Sequence, residues 1–316
     1  AGFIGSYIVR RLLKDGCFVR ILDNFSSGNK HNLGFLDAVE PSLFEVVKGD
    51  ISSEHDCIRA LQGISGVFHC AALSSVPLSF ERPELYDQNN TQGTYHLLKA
   101  CADQGIERVV QLSSSSVYGD HSEPLTHEGI NLDPQSPYAV SKMESEKHAQ
   151  WFSTHHTMSI VSLRCFNVFG PGQMINTSYA AVIPSFCQRM IQGQPPIIYG
   201  DGEQTRDFVF VEDVVEATIH AMQCAELSGS VQLNIASGEG HSINQLVHYL
   251  NMALGTSIEP IYSETRPGDI RYSVADIQLA SSLIHFVPMV SFKDGIRRTL
   301  EWHQWLQQVS HEMSTV

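Results

Sequence analysis

The sequence predicts an α/β protein: a doubly wound parallel sheet with helices on both faces, followed by a smaller α/β lobe. Three observations carry this. Short apolar runs that end in small or polar residues alternate with helical segments over the first half of the chain. Such βαβ alternation builds a parallel sheet that is buried on both faces. A glycine pair opens an amphipathic helix, and the strand after it ends in an acid. After about residue 171 the alternation loosens into short strands, glycine turns and helices. The expected division is a sheet domain over 1–171 and a mainly ligand-binding lobe over 172–316, with segments of the second returning to the first.

The chain opens on AGFIGSYIVRRLLKDG, where Ile4, Ile8, Leu12 and Leu13 make the apolar stripe of a helix. Gly2 and Gly5 stand at its head. They match the second half of a glycine-rich dinucleotide loop, in which backbone N–H groups approach a pyrophosphate. GxxG alone serves tight helix–sheet packing equally well. The strand CFVRILD at 17–23 shifts the balance, because Asp23 lies 18 residues after Gly5. That is close to the ~20-residue spacing at which an acid takes a ribose hydroxyl. A carboxylate there would repel a 2′-phosphate, so NAD is expected over NADP. The first glycine and the strand before it are absent from the chain. The expectation is a Rossmann-type domain lacking its first strand.

The runs at 42–51, 66–72, 108–114 and 159–170 read as further strands, with helices near 54–62, 84–104 and 138–155. Ligands of such sheets sit at the carboxyl ends of the strands. The candidates there are Asp23, Asp50 with Ile51, Ala71 with Ala72, Ser113 to Ser116, and Cys165 to Asn167. In the second half, 179–194 reads as a helix, 197–222 as short strands, a glycine turn and a helix, and 231–253 as a strand and a helix. A loop at 266–276 leads to a last helix near 291–313. The lobe would cover the mouth of the sheet and leave a cleft.

Bulk properties exclude several classes. The chain has 316 residues, 42% hydrophobic and 17% charged, and a formal charge of −14. That charge argues against a general nucleic-acid surface. Seven scattered cysteines with no CxxC pair fit reduced cytosolic thiols. Fifteen histidines show no HExxH or paired metal spacing, so no metal is expected. No apolar run reaches the ~18 residues of a membrane span, and no secretory signal is visible, so no membrane partner is expected.

SPYAVSK at 136–142 sets Tyr138 one helical turn before Lys142. An i,i+4 pair shares a helix face. It can be an ordinary surface pair. It can also be a proton-transfer couple, in which the lysine cation favours a phenolate whose free pKa is ~10.

With AGFIGS, LDNFSSG, GDI, HCAA, NNTQGT, LSSSSVYG, SPYAVSK, LRCFNVFGPGQ, YGDGEQTRDFVFVEDV and RPGDIRYSVAD in this order, the chain resembles the extended short-chain dehydrogenase/reductase superfamily. Within it, the resemblance is to the nucleotide-sugar 4-epimerases, nearly end to end. It implies NAD as cofactor, a UDP-sugar as substrate, a cytoplasmic homodimer built through the helices near 84–104 and 138–155, and a place in glycan or polysaccharide synthesis. Tyr138 becomes the general base, supported by Lys142, with Ser114 on the same sugar hydroxyl. The implied cofactor positions are Gly2, Phe3, Ile4, Gly5, Asp23, Asn24, Gly28, Asp50, Ile51, Ala71, Ala72, Asn90, Tyr138, Lys142 and Phe166. On the substrate side stand Ser116, Asn167, Val182, Tyr199 and Ser273. Arg206 and Arg266 become pyrophosphate clamps and Asp269 a ribose contact. Ser273 falls where a bulky tyrosine resembles enzymes limited to glucose and galactose, and a small residue leaves room for an N-acetyl group.

The resemblance leaves alternatives: a UDP-glucuronate 4-epimerase, a nucleotide-sugar dehydratase, or a non-catalytic dinucleotide-sensing protein. Dehydratases and decarboxylases typically place an acid next to the strand-end serine or threonine. LSSSSVYG has Val117 and no Asp or Glu, which argues for epimerisation without elimination. A sensing protein would commonly lack the Tyr/Lys pair that stands here.

Overall fold

A computed structural model describes residues 1–121, 123, 125–174, 181–265 and 270–314, with side chains through 309. The first half holds strands β1 (Val19–Asp23), β2 (Phe44–Lys48), β3 (Val67–His69), β4 (Arg108–Ser114), β5 (Ser159–Cys165) and β6 (Asn167–Phe169). Between them run helices α1 (Phe3–Lys14), α2 (Glu54–Leu61), α3 (Val76–Glu81), α4 (Pro83–Tyr86), α5 (Gly93–Asp103) and α6 (Pro137–His155). The second half adds β7 (Ile197–Tyr199), β8 (Thr205–Phe210), β9 (Ser230–Ile235), β10 (Gly240–Ser242), β11 (Ile261–Ser263) and β12 (Tyr272–Ser273). Its helices are α7 (Val182–Ile191), α8 (Val211–Gln223), α9 (Ile243–Leu254), α10 (Gln278–Ile284) and α11 (Phe292–Ser314).

The fold is the doubly wound α/β architecture. A parallel sheet runs in the order β3-β4-β5-β9, and a separate parallel pair joins β1 to β2. β5 is buried along nearly its whole length, as a central strand covered on both faces must be. The smaller sheet of the second half has the order β10-β8-β12, with β6 also on β8. β7 and β11 form a further parallel pair.

Two details differ from the linear reading, and a third gives the expected return of the second half to the first sheet. The run at 159–170 makes two strands, because the chain breaks at Phe166 and β6 leaves the main sheet to pair with β8. The segment near 84–104 is α4, a π-helical stretch at Asp87–Gln92, and α5. β9 pairs with β5, so a strand beyond residue 171 closes the first sheet. The core follows the same mixing. Val110, Val161 and Leu163 of the sheet pack with Val214, Ala217, Leu233, Ile284 and Phe286 in one apolar cluster. A second cluster holds Phe169, Phe208, Phe210 and Phe292. Among the described residues, no helix is long and apolar enough to cross a membrane.

A candidate active site at the carboxyl ends of the strands

α6 starts where the local chemistry demands. Ser136 is its N-cap and accepts a hydrogen bond from Ala139 N at 3.1 Å, and Pro137 occupies the first turn. The buried stripe of this helix includes Ala139, Lys142, Glu146, Ala149 and Phe152, so two charged residues lie on its inner face. Lys142 Nζ donates to the Leu112 carbonyl of β4 at 2.9 Å. Half-buried Tyr138 faces Ser114 at the end of β4, and its ring meets Tyr86 edge-on at 6.4 Å. The structure therefore brings Tyr138, Lys142 and Ser114 together at the carboxyl ends of the strands.

The electrostatics correct one expectation. Burial pushes the Tyr138 phenol up to about 12, and the nearby Ser114 hydroxyl opposes this without reversing it. Lys142 does not hold the phenol low. Its own ammonium is buried against a carbonyl, and burial lowers its pKa to about 8, with Cys165, Cys70 and Glu146 nearby pulling the other way. Desolvation penalises whichever form is charged, so it moves an acid and a base in opposite directions.

The rest of the β4 end is a tight turn. Ser114 Oγ accepts from Ser116 N at 3.2 Å. Ser116 Oγ is buried without a hydrogen-bond partner. Such a group costs free energy unless something supplies a partner. Gly119 closes the turn at φ +66°, and a Cβ there would lie 1.9 Å from the Asp133 carbonyl. No other residue fits.

The residues expected to hold the cofactor line the adjoining strand ends, and they fit NAD. α1 begins at Gly2 with no side-chain cap and no acid in its first turn. Its free N–H groups and its dipole make an anion site. A Cβ on Gly2 would meet nothing within 4 Å, whereas one on Gly5 would meet Cys70 Cβ at 3.7 Å; Phe3 and Ile4 lie between them in the first turn of α1. Asp23 ends β1. Its carboxylate accepts from Phe25 N at 2.7 Å. Gly28 passes so close that a Cβ would stand 2.8 Å from Asp23 Oδ1. Asn24 donates to Asp50 at 2.6 Å. Burial pushes the Asp50 carboxyl up, but the hydrogen bonds from Asn24 and Ser52 outweigh it and hold it below its ordinary value. Ile51 is buried beside Gly93, while Ala71 and Ala72 lie half-buried in the loop after β3.

Two expected cofactor positions do their visible work inside the protein. Asn90 is buried, accepts from Leu73 N at 2.8 Å, and donates to Leu73 O at 2.9 Å and to Ser141 Oγ at 3.0 Å. It ties the loop after β3 to α6. Phe166 is buried in a cluster with Val117, Tyr118, Ala236 and Ala275.

On the substrate side, Asn167, Val182, Tyr199 and Arg206 all line one cleft of about 300 Å³. Gln173, Gln204 and Phe208 line it too, and sequence reasoning missed them. The signal for Gln204 and Phe208 was their place two residues from Arg206. Arg206 donates to the carbonyls of Thr205 at 2.9 Å and Ile270 at 2.6 Å. Its neighbour Asp207 turns inward. Fully buried, Asp207 accepts from Ser237 N and Oγ, Gly238 N and Ala275 N, which rivets the lobe together. Ser273 pairs with Arg206 in the ladder of β12 and β8, so the two side chains share a sheet face. The expected contacts Arg266 and Asp269 lie outside the described residues. Among the described residues, no group of three or more His, Cys, Asp or Glu could hold a metal ion.

Comparisons with known proteins agree with this geometry. The family model for the NAD dependent epimerase/dehydratase family matches residues 1–236. A UDP-glucose 4-epimerase of Mycolicibacterium smegmatis is 35% identical over 304 residues, 96% of each chain. A UDP-glucuronate 4-epimerase of Thermodesulfobacterium geofontis is 31% identical over 96% of this chain and 93% of its own. Among solved structures, the UDP-N-acetylglucosamine 4-epimerase of Methanobrevibacter ruminantium, in complex with UDP-N-acetylmuramic acid, is 38% identical. It covers 96% of each chain with a TM-score of 0.90. The chain belongs to the NAD dependent epimerase/dehydratase family and is an NAD-dependent enzyme.

Proposed function

We propose that the protein inverts C4 of a UDP-hexose by transient oxidation to a 4-keto sugar, with UDP-GlcNAc and UDP-GalNAc as its preferred pair and UDP-glucose and UDP-galactose as weaker substrates. The observation that carries the reading is the meeting of Tyr138 and Ser114 at the strand ends, with Lys142 anchored to Leu112 O one helical turn on. When bound, NAD supplies the hydride acceptor and donor. The chain's own part is proton traffic and orientation. Tyr138 takes the O4 proton and later returns it. Ser114 hydrogen-bonds the same hydroxyl and relays the proton. Burial favours the protonated phenol, and a bound NAD would supply positive charge that favours the proton-accepting form. Arg206 clamps the pyrophosphate, as its planar fork suits, and Asn167, Val182 and Tyr199 line the same cleft. Arg266 and Asp269 complete the nucleotide contacts.

The turn Ser115–Tyr118 carries no carboxylate, which supports epimerisation over dehydration or decarboxylation. Ser273 supports the acetamido pair, because a small half-buried residue beside Arg206 leaves room next to C2. The 38% identity to a UDP-N-acetylglucosamine 4-epimerase supports it too. A homodimer is supported by the exposed apolar side chains Tyr95 on α5 and Val140 and Trp151 on α6. A reducing, cytoplasmic setting is supported by seven free cysteines. The test is to incubate the protein separately with UDP-GlcNAc, UDP-glucose and UDP-glucuronate and to assay each for its C4 epimer, without added NAD(P)H. Fastest turnover of UDP-glucuronate, or a dehydrated product, would replace this reading.

A further inference from the structure

Beneath the proposed proton-transfer group lies an ion pair cut off from water. Glu146 and Arg164 have side chains only 6% and 5% exposed. The pair is bidentate, with Arg164 Nε on Glu146 Oε1 at 3.0 Å and Nη2 on Oε2 at 2.6 Å. Such a pair seldom adds net stability, because desolvating two charges costs about as much as their attraction returns. What it does add is direction. Glu146 stands four residues after Lys142 and eight after Tyr138, on the same inner face of α6.

We propose that the Glu146–Arg164 pair is a positioning device that holds the Tyr138–Lys142 helix in register with the strand end carrying Ser114. This rests on the reading of those three residues as the proton-transfer group. Three successive residues of β4 bolt α6 to the sheet. Gln111 Nε2 donates to Ser145 O at 3.3 Å, Lys142 Nζ donates to Leu112 O at 2.9 Å, and Ser113 Oγ donates to Glu146 Oε1 at 2.6 Å. The last of these adjoins Ser114. On its other side, Arg164 Nη1 donates to Tyr118 OH at 3.0 Å, and the guanidinium lies 4.9 Å from the centre of that ring. Tyr118 OH in turn donates to Asn234 Oδ1 at 2.6 Å on β9. Tyr118 ends the turn that bears Ser116. One carboxylate thus connects the helix of the base, the strand end of the relay serine and the turn on the substrate side.

The same carboxylate also acts on charge. The groups facing Lys142 are Cys165 on β5, Cys70 and His69 at the end of β3, and Glu146 on α6. Arg164 lies behind Glu146. Of these, Glu146 brings the carboxylate that favours the ammonium over the neutral amine.

The experiment compares wild type, Glu146→Gln and the double variant Glu146→Gln/Arg164→Met. Wild-type turnover of a UDP-sugar comes first; its absence defeats the proposed function and is a separate result from those below. Glu146→Gln should lower kcat by about tenfold to a hundredfold, the range of a ~1 Å misplacement, with KM within about threefold of wild type. The alkaline limb of its kcat–pH profile should move to lower pH, because Lys142 loses the carboxylate. The double variant removes the unpaired charge and should regain thermal stability while kcat stays low. Ser113→Ala keeps the ion pair and should lower kcat at unchanged KM, which keeps the test open if Glu146→Gln fails to fold. Wild-type kcat in the double variant, or an unmoved pH limb in Glu146→Gln, would overturn the proposal.

Discussion

The proposed proton-transfer centre and the proposed nucleotide cleft are built in different ways. The centre stands on long regular elements, with β4 and β5 of seven residues each and α6 of nineteen. Lys142, Glu146, Ser113 and Arg164 are buried there, and each has a named partner. The cleft draws on β6 and β7, of three residues each, together with part of β8 and the start of α7, and its Asn167, Tyr199 and Arg206 are half-buried. The difference teaches where tolerance lies. Atoms that exchange a proton need sub-ångström placement, which helices and strands supply better than loops. A pocket that chooses among sugars can sit on short segments whose change costs little elsewhere.

The largest expected effect falls at the centre. Tyr138→Phe keeps the ring and removes the base, so turnover should drop by about 10² to 10⁴-fold with little change in substrate binding. Near-normal turnover would show that another group is the base.

Next comes Lys142→Met, which should cost about 10²-fold or more in turnover and sharpen the contrast through stability. The folded pKa of Lys142 is about 8 against an ordinary 10.5. Between those values the unfolded chain binds more protons, so this group's contribution to stability rises with pH across the window and is unfavourable below about 8. The methionine removes that penalty. Its thermal midpoint at pH 7 should match or exceed that of wild type, and a marked fall would mean that the hydrogen bond to Leu112 O outweighs the desolvation penalty.

In the cleft, Arg206→Ala should raise KM by about tenfold to a hundredfold, the value of ~1.5–3 kcal/mol for hydrogen bonds to a charged group, with a smaller change in kcat. An unaltered KM would remove Arg206 as a phosphate clamp. The smallest effect belongs to Ser273→Tyr. An added ring in a filled pocket costs ~1–3 kcal/mol, so the preference for the acetamido pair over UDP-glucose and UDP-galactose should fall by about tenfold or more. The ratio of kcat/KM for the two pairs decides it, and an unchanged ratio would leave Ser273 without a gating role.

By itself the sequence determined what local chemistry controls. The strands at 19–23, 44–48 and 108–114 follow from apolar runs with polar ends, and the start of α6 follows from Ser136 and Pro137. The shared face of Tyr138 and Lys142 follows from their spacing. Glu146 was legible in principle by the same i,i+4 rule. Only the tertiary structure decided where the run at 159–170 breaks, that β9 returns to β5, and that Asp207 points inward while Arg206 faces the cleft. It also decided the sign of the shift at Tyr138, since burial in the fold, with smaller contributions from Cys165 and Tyr86, outweighs what one helical turn suggests. The reason is range. Capping, periodicity and i,i+4 contact act within a few residues, whereas strand pairing and desolvation depend on groups a hundred positions away in the chain, which no short stretch of sequence contains.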